Sequence, residues 1–263
     1  MDDNTLRPLD WPPSKVDVRV SDDLLSAMFQ RVEAMFQHLE EVDPSRSAAL
    51  EETYRAAFIA QRDTKFFETG KIPVHQFITT LARCGIPAVG LESCFELGCG
   101  LGRSTIWLAE CFRQVIAADI SFPHLCVAKE TSARFGKENV SFVHTNRIDS
   151  LREVARFDVL FSIVVLQHNP PPVIRHVLNV LLSRINSGGV GYFQLPTYRF
   201  GYSFDAEKYL ATPPNLRAPE MHVLPQQELH ALLEERGCRL IEIREDSSAG
   251  GDSISSRVLI QKK

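Results

Sequence analysis

The sequence predicts an α/β fold built on a largely parallel sheet, and two observations support this prediction. From residue 93 onward, short apolar segments typical of strands alternate with longer segments of helical periodicity. Between the first strand and its helix lies the run Gly98-Cys99-Gly100-Leu101-Gly102, which is typical of a tight strand-to-helix turn. Strands that alternate with helices favour a parallel sheet with helices on its faces.

The first 88 residues are predicted to form an N-terminal arm followed by a helical cap. Prolines at positions 8, 12 and 13 predict an extended arm. Ser21 is a candidate N-cap, and the apolar residues spaced from Leu24 to Leu39 predict an amphipathic helix. Two further helices are predicted over 47–62 and 74–83. The apolar stripe of the first helix is expected to pack on the core, and it would also suit a homodimer surface.

Residues 89–263 are predicted to form the main domain. Its predicted elements are the strands 93–97, 114–118, 140–144, 157–164, 190–195, 238–244 and 257–261, and the helices 105–112, 123–135, 173–185 and 226–236. Gly188 and Gly189 are expected to end the helix 173–185. Since no helix separates the last two strands, a hairpin is predicted that makes the final strand antiparallel. Segment 196–222 is predicted to be a lid-like insertion, because loops of this length are usually functional.

Composition argues against several functions. The net charge is −4 with no block of basic residues, so the electrostatic footprint of a nucleic-acid binder is missing. No apolar run approaches 18 residues, which excludes a membrane-spanning helix. The acidic N-terminus does not resemble a signal peptide, and a cytoplasmic location is expected. The six cysteines form no Cys-x-x-Cys pair and share no ligand spacing with the histidines, so no metal site is predicted.

The glycine turn is a candidate cofactor site. A strand, a glycine turn and a helix offer free backbone N–H groups and a positive helix end to a nucleotide-like ligand. Asp119 closes the next strand about 20 residues later, where a carboxylate can accept hydrogen bonds from both ribose hydroxyls. This role suits NAD as well as other adenosine ligands. A dinucleotide loop, however, needs a small residue at position 103, where Arg103 stands.

The spacing Glu96-x-Gly98-x-Gly100-x-Gly102 resembles motif I of class I S-adenosylmethionine-dependent methyltransferases, and the resemblance extends over about residues 90–262. It implies a Rossmann-like methyltransferase fold with seven strands and S-adenosylmethionine as cofactor. After the third strand it implies adenine contacts from Asn146 and from the backbone of Arg147. The remaining cofactor residues that it implies are Glu96, Gly98, Cys99, Gly100, Arg103, Asp119, Ile120, Ser162, Ile163 and Gln167.

The resemblance implies methyl transfer to a small-molecule or glycan acceptor. A hydroxyl acceptor needs a base, and the candidates are His168, after the fourth strand, and His222, at the end of the lid-like segment. Oxygen is the preferred acceptor atom, since a sugar or secondary-metabolite hydroxyl would suit the aromatic residues of the lid. A small amine is the alternative. The segment 66–70 is expected to fold over the cofactor.

Two functions outside this class remain as alternatives. An NAD-dependent oxidoreductase is disfavoured by Arg103 and because no tyrosine is followed by a lysine four residues later. A non-catalytic methyltransferase-like binding protein predicts a damaged cofactor turn. The turn is intact at Glu96, Gly98 and Gly100, and Asp119 is present, which favours an enzyme.

Overall fold

The computed structural model describes residues 14–42, 64–214, 216 and 218–263. The helices are α1 (Asp22–Val42), α2 (Thr64–Glu68), α3 (Lys71–Arg83), α4 (Thr105–Cys111), α5 (Phe122–Arg134), α6 (Pro171–Arg184), α7 (Ala206–Ala211) and α8 (Gln226–Glu235). The strands are β1 (Ser93–Leu97), β2 (Gln114–Asp119), β3 (Val140–His144), β4 (Phe157–Ser162), β5 (Ile185–Arg199), β6 (Cys238–Asp246) and β7 (Ser253–Lys262). Short 3₁₀ turns lie at Ser150–Glu153 and Leu166–His168.

The strands form one seven-stranded sheet in the order β3-β2-β1-β4-β5-β7-β6. The strands β1 to β5 pair in parallel, and β7 pairs antiparallel with both β5 and β6. This confirms the predicted α/β fold with an antiparallel last strand. The strand order reverses at β1, which has β2 on one side and β4 on the other. Ligands of such sheets bind in the crevice at the carboxyl ends of the strands beside this reversal.

Alternating side chains of each strand supply the two cores on either face of the sheet. In β1, Phe95 belongs to the cluster that α1, α6 and α8 cover, whereas Cys94 belongs to the cluster that α3 and α4 cover. Phe95 stacks on Phe157 of β4 with 5.1 Å between ring centroids. On the other face, Phe77 of α3 stacks on Tyr192 of β5 at the same distance.

Helix α1 begins where the sequence predicts. The backbone N–H of Leu24 donates to the Ser21 hydroxyl over 3.4 Å, which makes Ser21 the N-cap. The apolar stripe of α1 is buried against the core, as expected, and the helix contacts α6 and α7. The helix predicted over 47–62 lies outside the described residues.

The structure differs from prediction around Gly188 and Gly189. Helix α6 ends at Arg184, and β5 begins at the next residue and runs through both glycines. A Cβ on Gly189 would lie 2.5 Å from the carbonyl oxygen of Asp158 in β4, at a point where the β4–β5 register shifts. These glycines therefore mark a close approach within an irregular strand rather than a helix end.

The lid-like segment is also more regular than predicted. Its first four residues, 196–199, continue β5, and α7 lies inside it. Asp205 caps α7 by accepting a hydrogen bond from the Lys208 backbone N–H over 2.9 Å. The irregular part is therefore shorter than the sequence suggests.

Candidate active site

A cavity of about 230 Å³ opens at the carboxyl ends of β1, β2 and β4. One part of its wall comes from the glycine turn after β1 and from the tip of β2. The rest comes from residues after β4 and from α1 and α6. The cavity thus lies at the crevice that the strand order defines.

The glycine turn approaches its neighbours more closely than a side chain would permit. Gly98 has a φ of 74°, and a Cβ there would lie 2.3 Å from a methyl group of Val165. Only glycine combines this conformation with this contact. The turn is held to β2 because the backbone N–H groups of Gly98 and Cys99 both donate to the carbonyl oxygen of Ala118.

The Asp119 carboxylate lies at the tip of β2, is only 7% exposed and borders the cavity. One of its oxygens accepts the backbone N–H of Gly100 over 2.7 Å, and the other accepts that of Ser121 over 2.9 Å. Each carboxylate oxygen retains a free lone pair. The side chain is thus oriented by the backbone and keeps two acceptor positions, which fits the two hydroxyls of a ribose.

Glu96 is a carboxyl group buried in the wall of the cavity, with 2% of its surface exposed. The Thr105 hydroxyl donates to it over 2.5 Å. Burial raises the pKa of Glu96 to about 7, against the opposing effects of the Thr105 hydrogen bond and the Arg103 charge. A cationic group in the cavity would stabilise the ionised form, so this position fits the amino end of a methionine moiety.

The segment from α2 to the start of α3 braces the glycine turn from outside. A Cβ on Gly70 would lie 1.9 Å from the carbonyl oxygen of Arg103, so the two backbones are in direct contact. The Arg103 guanidinium donates to the Thr69 hydroxyl over 3.2 Å, and the Trp107 indole donates to the Phe67 carbonyl over 2.7 Å. Phe66 reaches the cavity wall. The segment 66–70, which was expected to fold over the cofactor, packs against the turn that would hold it.

His168 is a neutral base at the cavity wall. Its ring is 5% exposed, and its Nδ1 lies 3.0 Å from the carbonyl oxygen of Glu220. Because a carbonyl oxygen only accepts hydrogen bonds, Nδ1 carries a proton. Burial lowers the pKa of His168 to about 4. Near neutral pH the ring is therefore uncharged, and the lone pair on Nε2 lies 3.4 Å from the side-chain amide nitrogen of Gln167.

His222 has a different environment and lies outside the residues that line the cavity. Its Nδ1 lies 3.0 Å from the Tyr202 hydroxyl, and its Nε2 lies 3.2 Å from a carboxylate oxygen of Glu220. The rings of Tyr202, Phe204 and Tyr209 surround it edge to face. Both nitrogens have protein partners, so the arrangement suits a structural role.

A buried amide network supports the segment after β4. Val164 has a φ of 60°, which is strained for a β-branched residue, and its N–H donates to the side-chain oxygen of Gln194 over 3.0 Å. The Gln194 amide nitrogen donates to Gln167 over 2.8 Å and to the Ser255 hydroxyl over 2.6 Å. Gln194 is fully buried. This network fixes the strained residue at the cavity wall.

The structure brings most of the predicted cofactor residues to one cavity. Those that line it are Glu96, Gly98, Cys99, Gly100, Arg103, Asp119, Ile120 and Ile163, together with the base candidate His168. Asn146 and Arg147 are exposed and lie outside the lining, where Thr145 takes part instead. Ser162 donates to the Leu97 carbonyl, and Gln167 belongs to the amide network, so neither lines the cavity.

Sequence reasoning missed the part of the wall that α1 supplies through Phe29, Val32 and Phe36. The helical spacing of these residues was visible, but it does not distinguish a core face from a cavity face. Within the described ranges, no group of three or more side chains is placed to hold a metal ion. No helix in this part of the chain is long and apolar enough to cross a membrane.

Comparisons with known proteins agree with this geometry. Residues 95–189 match a family model described as a methyltransferase domain. Among solved structures, magnesium protoporphyrin IX methyltransferase from Synechocystis PCC 6803 with bound SAM has a TM-score of 0.60 at 14% identity, covering 89% of this chain and 97% of that one. The N-methyltransferase NodS from Bradyrhizobium japonicum, in complex with S-adenosyl-l-homocysteine, has a TM-score of 0.51 at 15% identity, with coverages of 72% and 86%. No curated protein matched the sequence.

The matched segment begins within β1 and includes the glycine turn, Asp119 and the strands β2 to β4. Together with the sheet order, this similarity indicates that residues 95–189 form a methyltransferase domain within a Rossmann-like methyltransferase fold. The carboxylates and glycines of the cavity fit S-adenosylmethionine, the cofactor that the sequence resemblance implies.

Proposed function

We propose that this enzyme transfers a methyl group from S-adenosylmethionine to a hydroxyl oxygen of a small molecule, with His168 as the base. The observation that carries the proposal is the neutral His168 ring at the cavity wall, oriented by the Glu220 carbonyl. An amine acceptor needs no such base once it is desolvated, whereas a hydroxyl must lose a proton when its oxygen is methylated.

The cofactor supplies the methyl group from its sulfonium, and each remaining task falls to residues of the chain. Asp119 is placed to accept hydrogen bonds from the ribose, and Glu96 to face the amino end of the methionine moiety. Arg103 and the glycine turn would complete the cofactor cradle. His168 Nε2 accepts the proton that the acceptor hydroxyl loses as the new oxygen–carbon bond forms, and later releases it to solvent.

Asn146, Arg147, Ser162 and Gln167 stay predictions as cofactor residues. Asn146 and Arg147 are exposed near the end of β3, and side chains there can approach an adenine from the solvent side. His222 is less suited to be the base, because it lies outside the residues that line the cavity and pairs with the Glu220 carboxylate. It acts instead by holding Glu220, whose carbonyl orients His168.

The test compares 1-naphthol with 1-naphthylamine, two acceptors of the same shape that differ in the acceptor atom. With methyl-labelled S-adenosylmethionine, we expect faster transfer to the naphthol. His168→Asn should lower kcat for the naphthol by roughly a hundredfold or more, because general base catalysis contributes on that order. His230→Asn, at an exposed position of α8, is the matched control and should change nothing.

A second measurement tests the base without an acceptor. In ¹⁵N NMR spectra of the imidazole groups, His168 should remain the neutral Nδ1–H tautomer from pH 6 to pH 8. A charged ring in this range would contradict the assignment. Faster methylation of the naphthylamine, with no loss in His168→Asn, would instead favour the amine alternative.

A further inference from the structure

The cavity extends beyond the cofactor residues to a chamber under α1, which we define by Phe29, Val32, Phe36, Leu151 and Val177. Three of these residues come from α1 and lie at helical spacing on one face of that helix. Val32 is 2% exposed, so the wall is part of the folded core rather than a loose surface. His168 and Asn169 line the same cavity.

The chamber carries no charge. The carboxylates and the guanidinium that line the cavity, those of Glu96, Asp119 and Arg103, belong to the glycine turn and its neighbouring strands, and the cavity's two histidines, His124 and His168, lie outside α1. A phosphate or an ammonium group under α1 would be buried without a partner, which is strongly unfavourable. A sugar would leave several hydroxyl groups without hydrogen-bond partners, because the side chains of the chamber are apolar.

Three aromatic residues of the lid-like segment lie away from the cavity. Tyr202, Phe204 and Tyr209 pack around His222, and none of them lines the cavity. The expectation that these rings would stack on a glycan therefore finds no support in their positions.

The wall under α1 is held in place by Arg31. Its guanidinium donates to the carbonyl oxygens of Tyr209 and Thr212, pairs with Glu220 at 3.3 Å and lies 3.9 Å over the Tyr209 ring. Because the Glu220 carbonyl also orients His168, the same segment fixes the chamber wall and the base. The chamber wall is thus braced by contacts within the protein.

We propose that the acceptor is an uncharged aromatic alcohol, whose apolar ring occupies the chamber under α1 and whose hydroxyl faces His168. This inference rests on the proposed function and names the substrate class of the same site. An aromatic ring with one hydroxyl satisfies an apolar wall and a single base, and it leaves no polar group unpaired.

The acidity of the hydroxyl supports the same class. Burial holds the pKa of His168 near 4, so the ring is a weak base. Proton transfer from a phenol, with a pKa of about 10, to this ring is unfavourable by about six pKa units. Proton transfer from an alkyl alcohol, with a pKa close to the value of roughly 15.7 for water, is unfavourable by almost twelve pKa units.

The experiment uses the full chain loaded with S-adenosylhomocysteine and the neutral fluorophore N-phenyl-1-naphthylamine as probe. We expect saturable fluorescence enhancement that 1-naphthol reverses. Glucose, glucose 6-phosphate and the cationic phenol tyramine should displace the probe at least tenfold less effectively. Val32→Trp fills the chamber and should weaken probe binding at least tenfold, with S-adenosylhomocysteine affinity within twofold of the wild type.

Gln30→Trp is the matched control, because it adds the same side chain to the exposed face of α1, and it should leave probe binding unchanged. If Val32→Trp does not fold, Val32→Ala should alter the affinity of the probe but not that of S-adenosylhomocysteine. Equal displacement by glucose 6-phosphate, or unchanged probe binding in the Val32 variants, would overturn the inference. Normal probe binding without methyl transfer to any hydroxyl would instead contradict the proposed function alone.

Discussion

Proton uptake by Glu96 should make the affinity of the cofactor site for S-adenosylhomocysteine depend on pH. The pKa of Glu96 is raised to about 7 by burial, and a bound ammonium group would favour the ionised form. With a pKa of 7, about one-eleventh of the molecules are ionised at pH 6 and about ten-elevenths at pH 8. If only the ionised form binds well, affinity rises roughly tenfold over this range, which equals about 1.4 kcal/mol.

The assay is calorimetric titration with S-adenosylhomocysteine, whose amino group has no neighbouring sulfonium charge. The groups that act on Glu96 are Thr105, Arg103 and Asp119. His168 does not contribute to the slope, because its pKa of about 4 lies below the range. The glutamine in Glu96→Gln cannot ionise, so this variant should bind S-adenosylhomocysteine weakly and with an affinity that does not change with pH.

The ligand control is 5′-methylthioadenosine, which lacks the amino-acid portion. It should bind the wild type with no rise between pH 6 and pH 8. A pH slope that persists in Glu96→Gln, or that 5′-methylthioadenosine shares, would refute the reasoning, because it would assign the proton to another group.

Two further predictions concern positions that support the cavity. Gln194→Met removes the acceptor of the Val164 N–H, so it should lower the free energy of unfolding by about 1–3 kcal/mol and also lower kcat. Adding Val164→Gly relieves the positive φ at that position. The double variant should therefore recover part of kcat. If the glycine gives no recovery, the strained conformation is not what Gln194 maintains. Gly70→Ala places a methyl group against the Arg103 carbonyl, so it should weaken S-adenosylhomocysteine binding and lower Tm by roughly 5 °C. The control is Gly251→Ala, whose added methyl group meets open space and should change neither quantity. Equal melting temperatures for the two variants would show that the backbone around Gly70 accommodates a methyl group without loss of stability.

Local patterns predicted most of the sheet domain. The bounds of β1 and β3 agree with the structure, and the other predicted strands overlap the observed ones. The cofactor turn was also predictable, because Gly98, Gly100 and Asp119 are fixed by the local geometry of one strand-turn-helix unit and its neighbour. The predictions for 188–189 and for 196–199 are wrong, because β5 runs through both ranges. A glycine pair signals a helix end as readily as an irregular strand.

The positions that depend on long-range contacts were not predictable. Gln167 follows β4 at a place that suits a cofactor contact, but Gln194, 27 residues later, takes its side-chain oxygen. His168 and His222 are equivalent candidates in the sequence, and the structure distinguishes them because only His168 lines the cavity while His222 pairs with the Glu220 carboxylate. The contribution of α1 to the cavity likewise depends on tertiary packing, which periodicity does not encode.

The sheet order also has a consequence for biosynthesis. Strand β7 lies between β5 and β6, although β6 leaves the ribosome first. Until β7 inserts, β5 has an open edge and Gln194 lacks its Ser255 partner. The glycine turn and Asp119 are complete much earlier in synthesis. We therefore expect nascent chains to become able to hold the cofactor before they can catalyse its reaction, and their exposed β5 edge to be a site of mispairing during that interval.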